Sequence, residues 1–158
     1  SLLIIIFLFP LTPKSIGKTT PIFNEKIEVS EPTAVLDTLS LTKENVYRLC
    51  EEYCHDPIWV WKQSMLESGH LKSSKCKKYN NLFGMKMPRN RETLAIGETE
   101  DGHAIFKSWH DSVKDFALWQ NYRPISDTTD YVTYLVERSY CPINSNYTNV
   151  LKDIKFRF

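Results

Sequence analysis

The sequence predicts a mainly α-helical domain of the α+β type that carries one short β-hairpin. Along most of the chain after residue 41, apolar residues recur at the spacing of one helix face. A single Asp-Gly turn between two short apolar segments is the one hairpin signal. Hydrophobic residues make up 42% of the 158 residues and charged residues only 25%, which is enough apolar material for a compact core.

The first part of the chain is predicted to be a targeting segment followed by a linker. Residues 2–9 form an uninterrupted apolar run, too short for a membrane span of about 20 residues. We interpret residues 1–11 as a secretory export segment whose beginning is missing. A buried edge strand and an uncleaved membrane anchor are the alternatives. Residues 12–40 are polar and contain several prolines, as linkers do, which leaves residues 41–158 for the folded domain.

Two helices are predicted in succession at the start of the domain. Thr42 can cap the first, whose inward face then carries Val46, Leu49, Cys50, Tyr53 and Cys54. Asp56 and Pro57 are typical of the N-cap and first residue of a second helix. That helix is apolar on nearly all sides, so we expect it to be buried and to end near Glu67, where Gly69 can adopt the left-handed conformation.

The second half of the domain is predicted to hold the hairpin and three more helices. A solvated lysine-rich stretch leads to tight turns over residues 79–84. Residues 93–96 and 103–106 flank the Asp-Gly turn and are expected to pair. Ser108 and Asp111 have the form of a capping box for a helix that stops before Pro124. Two further helices are predicted over residues 129–140 and 146–154.

The four cysteines form an even set that export would expose to oxidising conditions. Cys50 and Cys54 are four residues apart on one helix and poorly placed to bond each other. The four cysteines could form up to two disulfides with three connectivities, and we expect Cys76 to pair with Cys50 or Cys54. Four reduced, buried cysteines are the alternative, and the spacing does not favour a zinc site.

The charge balance excludes several function classes. The chain has 20 Lys and Arg against 19 Asp and Glu, a formal net charge of +1, so it lacks the basic character of a nucleic-acid binder. The histidines show no metal-ligand spacing; they are His55, His70, His103 and His110. No glycine-rich phosphate loop is present in the sequence. We expect a monomer with no metal, no organic cofactor, no nucleic-acid partner and no stable membrane span.

Glu67 is the residue whose position suggests chemistry. At the end of the most apolar helix, its carboxyl group is expected to be partly desolvated and close to the negative end of the helix dipole. Both effects favour the protonated form. A carboxylic acid that stays neutral near pH 6 can protonate the leaving oxygen in glycoside cleavage. The alternative is a Glu paired with a nearby Lys or with a backbone amide.

Three ordered motifs carry a resemblance to a known family. Residues 67–70 (ESGH) are followed by residues 80–86 (NNLFGMK) and residues 106–116 (FKSWHDSVKDF). Together they closely resemble the glucosaminidase domain of bacterial peptidoglycan hydrolases, glycoside hydrolase family 73, from about residue 41 to the C-terminus. The resemblance implies a small lysozyme-like helical fold with a β-hairpin lobe. It also implies an exported enzyme of the periplasm, cell envelope or extracellular space that acts on the peptidoglycan glycan strand.

The resemblance implies site residues as well. Glu67 matches the family's catalytic acid, and Glu98 has the position most similar to a second carboxylate on the β-lobe, with Glu92 and Glu100 as alternatives. Tyr140, with Tyr147 following, matches a tyrosine of the family's site. Further candidates for substrate contact, whose other roles would be turn formation or packing, are Asn80, Asn81, Phe83 and Trp109.

The expected activity is cleavage of β-1,4 bonds after N-acetylglucosamine, an endo-β-N-acetylglucosaminidase. A base at Glu98 would lie roughly 6.5 to 9.5 Å from Glu67 and invert the product. Alternatively, the substrate's own 2-acetamido group can attack the anomeric carbon, so that one acid suffices. The rival interpretations are a catalytically silent glycan-binding domain and a muramidase or lytic transglycosylase on the same fold.

Overall fold

The computed structural model describes residues 38–122, 124, 129–141 and 146–158. The predicted export segment and all but the last residues of the predicted linker lie outside these residues. Within them, the structure contains six helices and one two-stranded antiparallel sheet, which confirms the mainly helical fold with a short hairpin. None of the helices in this part of the chain is long and apolar enough to span a membrane.

The elements follow the predicted order, with one addition. The helices are α1 (Lys43–Tyr53), α2 (Pro57–Glu67), α3 (Ser74–Tyr79), α4 (Trp109–Tyr122), α5 (Tyr131–Glu137) and α6 (Tyr147–Asp153). The strands are β1 (Gly97–Glu98) and β2 (Ala104–Ile105). The addition is α3, a short helix where the sequence suggested only a solvated lysine-rich stretch. Its Ser73 N-cap accepts a hydrogen bond from the Cys76 backbone N–H, and Cys76 is buried.

The two N-terminal helices begin differently from each other. The Thr42 side chain accepts a hydrogen bond from the Asn45 N–H, as the cap prediction requires. Asp56 does not cap α2 with its side chain, because its backbone is in the left-handed region at φ 54° rather than extended. Its carbonyl accepts from the N–H groups of Trp59 and Val60 instead. The prediction of Asp56 as N-cap and Pro57 as first residue of this helix is therefore confirmed, although the Asp56 side chain makes no capping hydrogen bond.

The hydrophobic core receives side chains from all six of these helices. Its members include Leu49 of α1, Trp61 and Met65 of α2, Phe116 of α4 and Leu151 of α6. The prediction that α2 is buried on nearly all sides holds for the segment from Val60 to Met65 but not for Ile58, which is 44% exposed. Helix α2 thus has one solvent-facing edge near its start and a buried second half that leads to Glu67.

Side-chain hydrogen bonds connect α4 to the rest of the domain. The capping box is confirmed, because Ser108 and Asp111 exchange hydrogen bonds at 3.1 and 3.2 Å. Near the other end, the Gln120 amide both donates to and accepts from the backbone of His55, at 3.0 Å each. Helix α4 ends at Tyr122, before Pro124, as predicted. These bonds hold α4 against the connection between α1 and α2.

The hairpin is shorter and starts later than predicted. Gly97 pairs with Ile105 and Glu98 with Ala104, while residues 93–96 lie outside β1. The Ile96 N–H still donates to the Ile105 carbonyl of β2 at 2.8 Å, but the Leu94 N–H donates to the buried Asp115 carboxylate at 2.8 Å instead of to β2. The segment Met85–Met87 adds to the other side of the hairpin, since Ala104 N–H donates to Met85 O and Met87 N–H to Gly102 O, each at 2.9 Å.

The predicted disulfide is absent, because all four cysteines are free. The Cys50 and Cys54 thiols lie against each other, and burial together with Cys54 raises the pKa of Cys50. The Cys54 thiol also donates to the Val113 carbonyl at 3.9 Å. Cys76 lies in the core on a separate helix, and burial raises its pKa as well. Neutral thiols among apolar side chains therefore serve as small core residues, the alternative that the sequence left open.

Candidate active site

Glu67 lies in a groove of about 460 Å³. The walls of the groove come from the end of α2, residues 83–88, Arg91, Trp119 of α4, and residues 138–140 after α5. The groove thus draws on segments from both halves of the domain. Glu67 is the one carboxylate among these lining residues, and Lys86, Arg91 and Arg138 contribute the cations.

The Glu67 carboxyl group is partly buried and has one phenolic partner. The Tyr147 hydroxyl of α6 donates to Glu67 Oε1 at 2.8 Å. Burial raises the pKa of Glu67 above its ordinary value of 4.5, and the hydrogen bond from Tyr147 lowers it by a smaller amount. Because the rise dominates, the group retains its proton to higher pH than an exposed glutamate. This is the electrostatic state that the sequence predicted for Glu67.

Gly84 brings the backbone next to this carboxyl group. A Cβ atom at residue 84 would lie 3.6 Å from Glu67 Oε2. The φ angle of Gly84 is +62°, in the left-handed region that favours glycine. The preceding residue is held by the segment after α5, since the Tyr140 hydroxyl donates to the Phe83 carbonyl at 2.8 Å. The NNLFGMK motif therefore forms the groove wall that faces the acid.

Tyr140 and Tyr147 are both neutral hydrogen-bond donors in the site. Burial is the main reason that the pKa of each is raised above its ordinary value, and the neighbouring Glu67 carboxylate raises both further. Their rings lie 6.2 Å apart between centroids. A phenol that does not ionise can hold Glu67 and the Phe83 carbonyl in place without competing for the proton.

Asn80 and Asn81 direct their side chains to the backbone. Asn80 is the left-handed C-cap of α3, and its amide donates to the carbonyls of Phe106 and Lys107. Asn81 is 1% exposed; its amide donates to Met85 O and Ala104 O, and its oxygen accepts from Met85 N–H. These bonds attach the motif to β2 and the loop after it. In this structure neither amide lines the groove, so substrate contact by these two residues stays a prediction.

Phe83 and Trp109 contribute mainly to packing. Phe83 lines the groove but is 1% exposed, with its ring stacked on Phe116 at 4.2 Å between centroids. Trp109 is 7% exposed, stacks on His110 at 3.9 Å and is not among the groove residues. Trp119, by contrast, lines the groove. The partly exposed aromatic side chains of the groove are therefore Trp119 of α4 and Tyr140.

Glu98 lies outside the groove that holds Glu67. Its carboxylate forms an ion pair with Arg89 at 2.6 Å, and it lines a separate depression with Lys78 and Tyr79. The other two candidates, Glu92 and Glu100, are exposed, and neither lines the groove. Among the described residues, the structure therefore brings Glu67 together with Tyr140, Tyr147 and Phe83 but not with a second carboxylate.

Two charged residues of the groove wall, Arg91 and Arg138, were not anticipated from the sequence. Arg91 is held by the fully buried Asp115, with Nη to Oδ distances of 2.7 and 3.3 Å. The same carboxylate accepts from the Thr93 hydroxyl at 2.6 Å. Asp115 belongs to the third sequence motif, and a lone arginine between polar neighbours gives no sequence signal of its fixed position. Within the described ranges, no group of three potential metal ligands occurs.

The chain was compared with solved structures, curated proteins and family models. One solved structure that matches is the catalytic domain of the autolysin Auto from Listeria monocytogenes, at 19% identity and a TM-score of 0.44. The match covers 84% of this chain and 93% of that one. No curated protein matches the sequence. Residues 43–155 match the Glucosaminidase family, described as mannosyl-glycoprotein endo-beta-N-acetylglucosaminidase. The chain therefore belongs to the Glucosaminidase family of glycoside hydrolases.

Proposed function

We propose that the protein cleaves β-1,4 bonds after N-acetylglucosamine in peptidoglycan, with Glu67 as the general acid. The observation that carries this proposal is a single desolvated carboxyl group, held by Tyr147, in an open groove. Family membership supports the reaction class, and the three motifs support peptidoglycan as the substrate. The glycan strand lies outside the cytoplasm, which agrees with an exported protein.

The geometry suggests which oxygen carries the acidic proton. Glu67 Oε1 accepts the Tyr147 hydroxyl, so the proton is expected on Oε2, the oxygen that faces Gly84. In the proposed first step, Oε2–H protonates the glycosidic oxygen as the bond to the anomeric carbon breaks. Glu67 is left as a carboxylate, and Tyr147 stabilises it through the same hydrogen bond.

The second half of the reaction is proposed to use the substrate's own 2-acetamido group. Its carbonyl oxygen attacks the anomeric carbon as the leaving group departs, which gives a cyclic oxazolinium intermediate. Water then opens this ring and transfers one proton to Glu67, so that the anomeric configuration is retained. The support is the position of Glu98, which is paired with Arg89 outside the groove. A water activated by Glu98 is the second candidate and would invert the configuration.

The decisive experiment compares the Glu67→Gln variant with the unmodified protein on purified peptidoglycan. The amide keeps the shape but has no acidic proton, so a loss of about 10²- to 10⁴-fold in rate is expected. Glu52→Gln, at an exposed position of α1, is the matched control and should retain activity. Wild-type clearing of cell walls by folded Glu67→Gln protein would reject the assignment.

The products distinguish the remaining alternatives. Mass spectrometry should find fragments with N-acetylglucosamine at the reducing end, whereas muramic acid ends or anhydro ends would indicate a muramidase or a lytic transglycosylase. Binding without any cleavage would indicate a silent glycan-binding domain. NMR of the first-formed anomer should show retention. Glu98→Gln should lower turnover far less than Glu67→Gln, and Glu92→Gln and Glu100→Gln should have little effect.

A further inference from the structure

The groove continues past Trp119 into a second depression of about 460 Å³. The two share Pro88, Arg91, Trp119, Arg138 and Ser139, so they form one continuous surface. We call this continuation the arginine arm and define it by its charged and aromatic residues, Arg89, Arg91, Trp119, Tyr122 and Arg138. No acidic residue lines it among the residues that the structure describes.

The three arginines of the arm differ in how their charges are compensated. Arg91 is bound by the buried carboxylate of Asp115, and Arg89 is bound by Glu98. Arg138 donates through one Nη to the Pro124 carbonyl at 3.0 Å. Its Nε is buried and has no hydrogen-bond partner, and no carboxylate among the described residues pairs with it. Its guanidinium also lies over the Tyr134 ring, 5.7 Å from the centroid, so Arg138 is the arginine of the arm whose charge has no carboxylate partner among the described residues.

The Nε of Arg138 is buried, so a ligand in the arm would meet the Nη groups of the same guanidinium, whose charge no carboxylate among the described residues compensates. A hydrogen bond between a charged donor and a charged acceptor is stronger than one between neutral groups. The planar guanidinium matches a carboxylate or a phosphate in geometry as well as charge. Trp119 is partly buried beside Arg138, and Tyr122 is 50% exposed, so a sugar ring can lie on these aromatics while its acidic substituent reaches the guanidinium.

We propose that the arginine arm binds a carboxylate borne by the glycan strand, with Arg138 as the residue that recognises it. This inference rests on the proposed peptidoglycan substrate. The carboxylate has two sources in such a strand: the lactyl group of a muramic acid residue whose peptide has been removed, or the acidic residues of an attached peptide. A strand of N-acetylglucosamine alone has neither. The arm thus selects acidic peptidoglycan strands over neutral glycan of the same linkage.

The experiment measures binding in the Glu67→Gln background, so that fragments survive and cleavage is not required. Three ligands of similar length are titrated calorimetrically: neutral chitotetraose, a peptide-free peptidoglycan tetrasaccharide, and its peptide-bearing form. Adding Arg138→Gln should lower the affinity for an acidic fragment roughly tenfold more than the affinity for chitotetraose. A roughly tenfold difference corresponds to about one charge-assisted hydrogen bond. Arg48→Gln is the matched control, because Arg48 is exposed on α1 and paired with Glu44; it should alter none of the three affinities.

Each outcome decides the proposal. If Arg138→Gln weakens binding of the peptide-free fragment alone, the bound carboxylate is that of the lactyl group. If it weakens binding of the peptide-bearing fragment alone, the carboxylate belongs to the peptide. Equal weakening of all three ligands, or none, overturns the proposal. If Arg138→Gln fails to fold, the salt dependence of binding by the protein with Arg138 intact is the test. The proposal requires that acidic fragments bind more tightly than chitotetraose and that this preference falls as the salt concentration rises. Failure of glycan cleavage by the unmodified protein would refute the proposed function but leave these affinities measurable.

Discussion

Removal of the Tyr147 hydroxyl should raise the pKa of the Glu67 carboxyl group. In the structure this hydroxyl donates to Glu67 Oε1 at 2.8 Å and opposes the rise that burial causes. Tyr147→Phe keeps the ring against Tyr140 and removes only the donor. Burial then acts on Glu67 without this opposition, so the protonated form should persist to higher pH.

The size of the effect follows from the charge on the acceptor. A hydrogen bond to a charged group contributes about 1.5–3 kcal/mol, and one between neutral groups about 0.5–1.5 kcal/mol. The Tyr147 hydroxyl therefore favours ionised over protonated Glu67 by about 1–1.5 kcal/mol. Since one pKa unit corresponds to about 1.4 kcal/mol, the substitution should raise the pKa of Glu67 by about one unit.

The assay is the pH dependence of kcat/KM on peptidoglycan fragments. For a general acid, activity falls on the basic side as the acid loses its proton. Tyr147→Phe should move this basic limb to higher pH by about one unit, the shift expected from one charge-assisted hydrogen bond. Tyr79→Phe, which removes a phenol that does not line the groove, serves as the matched control and should leave the limb in place.

A lost plateau rate alone would not confirm this reasoning, because poor positioning of Glu67 could cause it. The direction of the shift is decisive. A basic limb that stays in place, or moves to lower pH, in folded Tyr147→Phe protein would show that this hydrogen bond does not control the ionisation of the acid. In that case another group would be responsible for the basic limb.

Three further outcomes are expected. Asp115→Asn leaves Arg91 buried without its counter-charge and should lower the free energy of unfolding by about 3–5 kcal/mol in urea denaturation, whereas the exposed Asp153→Asn should change it by less than about 0.5 kcal/mol. Gly84→Ala forces a side chain into the left-handed region against Glu67 and should cost about 1–2 kcal/mol by the same measurement, together with a loss of activity. Because the folded-state pKa of Glu67 is raised above 4.5, its ionisation opposes folding, so Glu67→Gln should stabilise the fold at pH 7 but not at pH 4.

The elements that were predicted correctly depend on chemistry close to them in the chain. The Thr42 cap, the Ser108–Asp111 capping box and the end of α2 before Gly69 each involve groups a few residues apart. The predictions that failed depended on distant partners. In the predicted first strand over residues 93–96, the Leu94 N–H donates to Asp115 of α4. The predicted disulfide would have required the Cys76 thiol to lie against a cysteine of α1, but all four thiols are free.

The sequence by itself determined a helical domain, the family motifs and the placement of Glu67 at the end of its most apolar helix, since helix periodicity and capping are properties of neighbouring residues. Only the tertiary structure decided what surrounds that carboxyl group. Tyr147 is 80 residues away in the chain, and Arg138 reaches the same groove from the end of α5. Glu98, by contrast, forms an ion pair with Arg89 outside this groove. Such contacts depend on how helices pack across a shared core, and no local pattern in the chain records which side chains will meet there.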